Sequence, residues 1–330
     1  MTEKITMAHG SGGRSGADLM EKVFAKHFSN EVLDRMEDAA VLDISGRAAV
    51  STDSFVVTPH FFKGGDIGKL AVCGTANDLA MMGAVPKYIT CGFILEEGLD
   101  IEELERIAAS MAKAAEDAGV RIVAGDTKVV EGKGGLYINT TGIGIIPEGR
   151  NAGAAGCKEG DAIILSGTLG DHHACILSAR MGMENDIKSD CAFLGHAVEK
   201  IYAAGAEVHA MRDVTRGGLG TILNELAEAS GVDMELEESS LPVRPEVRGL
   251  CGILGLEPLY MGNEGKMIAV VPEKDAEKAL TALKETPEGR DAAIIGRVTG
   301  KGEGEVIMNT PLGGSRIVDM LYGEGLPRIC

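Results

Sequence analysis

Residues 101–118, IEELERIAASMAKAAEDA, constrain the fold most, because Ile101, Leu104, Ile107, Ala108 and Met111 recur at helical spacing and line one face. A stripe of that kind has to be buried against a second layer. Asp100 followed by Glu103 has the form of a capping box, and Gly119 stands where such a helix would close. The next residues, VRIVAG at 120–125, are short, apolar and β-branched, as a buried strand requires. A helix that runs directly into a strand is the unit of a layered α/β fold.

Three further strands are expected in the first half, AAVSTDSFVV (48–57), KYITCGFIL (87–95) and GLYINTTGIGII (135–146), with a helix over 66–82 that starts at Asp66 and stops at Gly83. PEGRNAGAAGCKEG, 147–160, is rich in Gly, Pro and Ala and has no periodicity. It marks the expected division between a first domain, 1–150, and a second, 151–322. The second half continues with DAIILSG as a strand, a helix near 192–204, a glycine turn and helix over 212–229, and a strand at 267–272. A helix near 274–285 and strands at 292–298 and 304–309 follow, and residues 323–330 are left as a tail. No internal repeat is visible.

The net charge of −18, with no cluster of Lys and Arg, argues against a nucleic-acid partner. The amino terminus, MTEKITMAHG, lacks the apolar core of a signal peptide, and no apolar run reaches the length of a membrane span. A soluble, cytoplasmic protein is expected. Seven cysteines without a CxxC pair or zinc-ligand spacing fit a reducing compartment. Six sit among Val, Ala, Ile and Leu as small hydrophobes. Cys330 closes the sequence LPRIC and differs from them; a prenylated cysteine would have to stand fourth from the end. Gly323 and Gly325 supply a hinge, and the steps from Gly323 to Cys330 span roughly 25 Å when extended. Such a tail is built to carry a sulfur-bound group between two places, or it is a frayed end.

Acids in the first half fall at element ends and interrupt apolar stretches: Glu37 and Asp38, Asp53, Asp78 beside Asn77, and Asp126. Buried carboxylates are costly unless paired or metal-bound. Mg²⁺ would account for them, since it takes one or two carboxylates together with phosphate oxygens and water; some would serve equally as caps and turn formers. A P-loop is absent, because in KGGDIGKL the first glycine position holds Lys63 and the Ser/Thr position holds Leu70. AHGSGGRSG (8–16) and RDVTRGGLG (212–220) are alternative cradles for an anion, or plain turns. Glu264 in GNEGK and Lys128 in GDTK are candidate acid–base groups or surface charges, and His172 and His173 fit caps or core better than metal ligands.

AHGSGG, STDSFVV, GKLAVCGTANDLAMMGAVPKY, CGFILEEGL, GDTKVV, SGTLGDHH, RDVTRGGLG, NEGK and the terminal PRIC together resemble the HypE family of nickel-iron hydrogenase maturation factors, the carbamoyl dehydratases. The resemblance runs from about residue 8 to the last residue. Its ATP-handling motifs are similar to those of aminoimidazole ribonucleotide synthetase, formylglycinamidine synthase, selenophosphate synthetase and thiamine-monophosphate kinase. It implies an α/β (α+β), two-domain PurM-like fold, with an amino-terminal sheet that joins its copy in a homodimeric barrel, a carboxy-terminal α/β sandwich and a mobile tail. ATP and Mg²⁺ are the implied cofactors. In the family the terminal cysteine receives a carbamoyl group from the carbamoyltransferase HypF. ATP-dependent dehydration then makes a thiocyanate, and the cyanide passes to iron held by HypC and HypD. The matching positions are Cys330 as carrier, Glu264 with Lys128 as the base, and Asp38, Asp53, Asp78 and Asp126 as the Mg²⁺-ATP acids. Lys69 and Asn77 are the implied phosphate neighbours, and Gly10, Ser11 and Gly12 belong to a covering loop. Relatives often have two adjacent aspartates where this chain has Glu37 and Asp38; Glu37 coordinates only with a longer arm. A different ATP enzyme of the superfamily would survive loss of Cys330, and a non-catalytic thiol carrier would survive Glu264→Ala.

Overall fold

The computed structural model describes residues 3–10 and 13–320, so Ser11, Gly12 and the expected tail with Cys330 lie outside the described residues. The first half builds a four-stranded sheet from β1 (Arg47–Phe55), β2 (Val85–Glu96), β3 (Arg121–Val130) and β4 (Leu136–Ile146), in the order β1-β4-β2-β3. Helix α1 (Ile67–Met81) and helix α2 (Ile101–Ala118) cover one face. The expected stripe of α2 is buried through Leu104, Ile107, Ala108 and Met111, and Gly119 closes the helix at φ 66°, in the left-handed region glycine favours.

The expected capping box is not formed. Asp100 makes no side-chain cap and pairs with Lys4 at 3.1 Å, while Glu103 turns to His60 Nδ1 at 2.7 Å. Both carboxylates found partners from segments distant in sequence, which spacing could not foretell. Asp66 does cap α1, accepting the N–H groups of Gly68 at 2.8 Å and Lys69 at 3.0 Å. Helix α1 is buried on nearly every side, because it lies between the first sheet, α2 and the second half of the chain.

The second half forms a seven-stranded sheet from β5 (Asp161–Leu165), β6 (Ala210–Asp213), β7 (Val232–Glu237), β8 (Met267–Pro272), β9 (Ala293–Lys301), β10 (Val306–Asn309) and β11 (Ser315–Ile317). Its order is β11-β10-β7-β9-β5-β8-β6, and only β7 with β10 runs parallel. In the first sheet the parallel pair is β2 with β3, joined by α2. Sheets this rich in antiparallel pairs place the fold on the α+β side of the expected class. Helices α3 (Asp171–Arg180), α4 (Gly195–Ala203), α5 (Gly218–Ser230), α6 (Pro245–Leu254) and α7 (Glu273–Lys284) complete this half.

Strand β7 was not foreseen, nor was the extent of helix α3. Residues 171 to 178 of α3 are all buried, so no polar face reveals its period. In β7 the buried Val232, Met234 and Leu236 alternate with acids, a residue type that strands ordinarily avoid. Cys73, Cys91, Cys157, Cys175, Cys191 and Cys251 are buried free thiols, as expected of small hydrophobes.

Candidate active site

Register in the first sheet decides which acids meet. Asp53, Thr140, Cys91 and Gly125 form one cross-strand row, and Thr140 and Cys91 are buried beneath the helices. The neighbouring row, Ser54, Asn139, Gly92 and Asp126, points to the opposite face because successive side chains alternate. Asp53 therefore faces α1, where Asp78 hydrogen-bonds it and also receives the Ser51 hydroxyl. Asp126 looks the other way, three strands off.

A cavity of about 80 Å³ opens beside this pair, lined by Asp53, Asp78, Asp213, Thr215, Arg216 and Glu264. Asp213 ends β6, and Thr215 and Arg216 lead into the amino terminus of α5. Gly218 stands there at φ 64°, and a Cβ on it would come 2.5 Å from the Leu259 carbonyl oxygen. No side chain fits, so the loop lies flat on residues 259–260 and delivers the helix start to the cavity rim.

Four carboxylates facing one small space repel one another. Burial, and then the Asp78 charge, push Asp53 up to about 6. The same two causes push Asp213 up to about 7. Burial first, then the charges of Asp190 and Asp213, hold Glu264 well above the usual carboxylate range. Arg216 opposes the shift at Asp53 and Glu264. This excess negative charge is what a divalent cation would relieve. Among the described residues, however, no three His, Cys, Asp or Glu side chains close around one point. The site therefore suits an ion that draws one or two carboxylates, here Asp53 and Asp78, and completes its shell with water and phosphate oxygens, as Mg²⁺ does.

The other implied residues lie elsewhere in this chain. Glu37, Asp38 and Asp126 line a separate, mostly apolar cavity of about 170 Å³ against Phe24, Phe28 and Phe93. Lys128 is 64% exposed on the outer face and pairs with Asp126 at 2.6 Å, so one subunit does not bring it to Glu264. Asn77, implied as a phosphate neighbour, is buried and bonds within the chain. Its amide donates to the Ala192 carbonyl at 3.0 Å and accepts the Leu194 N–H at 2.7 Å, which joins α1 to the second half. Lys69 reaches the Gly64 carbonyl at 3.3 Å, and Gly10 lies so close to Val129 that a Cβ would meet its backbone at 2.8 Å. His172 is core: it bonds the Ser189 hydroxyl at 2.8 Å, and burial pushes it down to about 4.

Asp213, Arg216 and Asp190 were not singled out by sequence reasoning. RDVTRGGLG contains the first two, but it is read there as a backbone cradle for an anion, with no role for either side chain. Nothing local marks Asp190.

The family models AIR synthase related protein, N-terminal domain, and AIR synthase related protein, C-terminal domain, match residues 36–146 and 158–309. The carbamoyl dehydratase HypE of Rhodobacter capsulatus is 51% identical, over 99% of this chain and 98% of that protein. The chain belongs to the HypE family. The Escherichia coli HypE is 46% identical over 99% of both chains. A crystal structure of HypE in complex with ATP superposes with a TM-score of 0.95 at 49% identity, covering 98% of this chain and 99% of that one. A HypE-HypF complex gives 0.81 at 47% identity, over 92% and 99%. A thiamine monophosphate kinase of Aquifex aeolicus, 23% identical with a TM-score of 0.63 over 90% and 98%, shares the fold. HypE-type carbamoyl dehydratases are enzymes, and the acid cavity lies where the two matched halves of this one meet. Among the described residues no helix is long and apolar enough to cross a membrane.

Proposed function

We propose that this chain binds ATP with Mg²⁺ in the acid cavity and uses it to dehydrate a carbamoyl group carried on Cys330, turning an S-carboxamide into an S-cyanide. The observation that carries the reading is the cavity itself. It sets two close carboxylates, Asp53 and Asp78, a guanidinium, Arg216, and a largely buried carboxylate, Glu264, around one space.

Water leaves S–C(=O)–NH₂ poorly, since oxide is a poor leaving group. Phosphorylation of the carbonyl oxygen by the γ-phosphoryl of ATP makes the leaving group phosphate. Bound Mg²⁺ supplies charge neutralisation for the transferred phosphoryl group. Asp53 and Asp78 would hold the nucleotide-bound ion, and Arg216, which lines the same cavity, would face its phosphates. As phosphate departs and C≡N forms, the nitrogen protons must go to a base. In this reading Glu264 takes them, and burial raises the proton affinity of its carboxylate above the ordinary range. The products are S-cyanide, ADP and phosphate.

The outer face of the first sheet supports a homodimer. Val50, Ile94 and Tyr137 share that face and are 67%, 46% and 38% exposed, so a second copy seated there would bury them and join the sheets into one barrel. Lys128 and Asp126 stand on the same face, and any part they take beside Glu264, or Asp38 and Glu37 take at a metal, depends on that assembly. The known HypE-HypF complex supports HypF as the donor of the carbamoyl group, and the cyanide would pass to the HypC-HypD pair.

The test is the intact mass of the carboxy-terminal peptide after incubation with the carbamoyltransferase and carbamoyl phosphate. A carbamoyl adduct on Cys330 that loses one water only when MgATP is added is the expected result. An active transferase that leaves Cys330 unmodified would sink the proposal.

A further inference from the structure

The segment 183–194, between α3 and α4, has no helix or strand, yet its centre is sealed: Asp190 is 3% exposed at its side chain and pairs with Lys266, itself 8% exposed, at 3.2 Å. The Asp190 carboxylate also accepts the N–H groups of Glu264 at 3.1 Å and Gly265 at 3.2 Å. In return the Glu264 carbonyl accepts the Ala192 N–H at 3.3 Å. Gly265 packs so tightly on this segment that a Cβ would fall 1.9 Å from the Asp190 carbonyl oxygen. On the other flank Asn263 accepts the Gly170 N–H at 2.8 Å and donates to the Val214 carbonyl at 3.0 Å. The backbone of Glu264 is thus fixed from both sides, and Asp190 makes the contact nearest to it.

The same segment is held by the first half of the chain. Asn77 binds the Ala192 carbonyl and the Leu194 N–H, and the Ser189 N–H donates to the Lys63 carbonyl at 2.8 Å. Asn77 precedes Asp78 on α1, so one turn of helix touches both the acid cavity and the segment that carries Asp190.

We infer that Asp190 is the positioning residue for Glu264, and that Asn77 ties the position of Glu264 to the helix that carries Asp78. The inference rests on the reading of Glu264 as the base. A carboxylate is needed at 190 because all three groups that face it are donors. In Asp190→Asn one amide oxygen remains for the Glu264 N–H, but the NH₂ group meets the Gly265 N–H and the Lys266 ammonium, donor against donor. The loop then loses its aim while the cavity acids stay in place. A misplacement near 1 Å at a reacting group costs on the order of 100-fold in rate.

The experiment compares wild type, Asp190→Asn, Asn77→Ala and Glu264→Gln as full chains. Water loss from carbamoylated Cys330 is followed by mass at saturating MgATP, and affinity is measured with β,γ-methylene ATP. Asp190→Asn is expected to slow water loss about 100-fold and Asn77→Ala about 10-fold, with nucleotide affinity within about 3-fold of wild type. Hydrogen exchange at the amides of Glu264 and Gly265 should accelerate in Asp190→Asn while the β8 amides keep their protection. Full-rate water loss in Asp190→Asn, or a parallel fall of rate and affinity, would overturn the inference. So would unchanged or uniformly lost protection. If Glu264→Gln turns over normally, the reading of the base fails instead, and the exchange at 264 and 265 still decides whether Asp190 positions the loop. Should Asp190→Asn not fold, Asn77→Ala decides by the same split between rate and affinity.

Discussion

Replacing Asp213 by Asn should stabilise the protein without nucleotide at alkaline pH and not at acid pH. Burial and the Asp78 charge raise Asp213 from 3.8 to about 7 in the folded chain, whereas the unfolded chain keeps the ordinary value. A carboxyl whose folded value is raised contributes stability that is fully present below about 4 and lost as pH rises through about 7. Three units at about 1.4 kcal/mol each set a ceiling of roughly 4 kcal/mol, and the contact of the site with water reduces that to about 2 kcal/mol. Asn resembles the protonated acid and never incurs the loss. For a chain of this size the midpoint of thermal unfolding should rise by about 4 °C at pH 8 and hardly at all at pH 4. Scanning calorimetry on both proteins at the two pH values measures this directly. Millimolar Mg²⁺ should raise the wild type at pH 8 and narrow the gap, because the ion relieves the same repulsion. A shift of equal size at both pH values, or a variant less stable at pH 8, would refute the electrostatic account of the cavity.

Glu264→Gln should keep ATP affinity within about 3-fold and slow water loss from the carbamoylated peptide by at least about 100-fold, since a general base contributes that much. Gly218→Ala places a methyl 2.5 Å from a carbonyl oxygen at φ 64° and should cost about 2–3 kcal/mol, visible as a lower urea midpoint with an unchanged slope. His172 has its folded value pushed down to about 4 by burial, so the stability it contributes is present above about 6.5 and falls as pH drops toward 4. His172→Gln should accordingly flatten the loss of urea stability between pH 6.5 and 4.5; equal slopes would show that burial of the neutral ring is not its origin.

Local pattern determined more of the fold than of the site. The stripe of α2 and its closing glycine, the Asp66 cap of α1 and the bounds of β8 all follow from side-chain period and backbone chemistry, which act over a few residues. Motif resemblance brought Asp53, Asp78 and Glu264 to notice, and the structure collects those three around one cavity. Register was decided only in three dimensions. A shift of one residue would have turned Asp126 inward with Asp53, and nothing in GDTK says which face it takes. The partners of Asp100, Glu103 and Asn77 come from segments remote in sequence, so the capping box expected of Asp100 and Glu103 gave way to distant pairings, and Asn77 bonds the backbone at residues 192 and 194. Asp190 is the clearest case. Alone in KSDCA it is one acid among many, and it acquires a task only because folding buries it against the backbone of Glu264 and the ammonium of Lys266. Short-range preferences are written along the chain, whereas burial and charge pairing belong to whichever segments the core brings together.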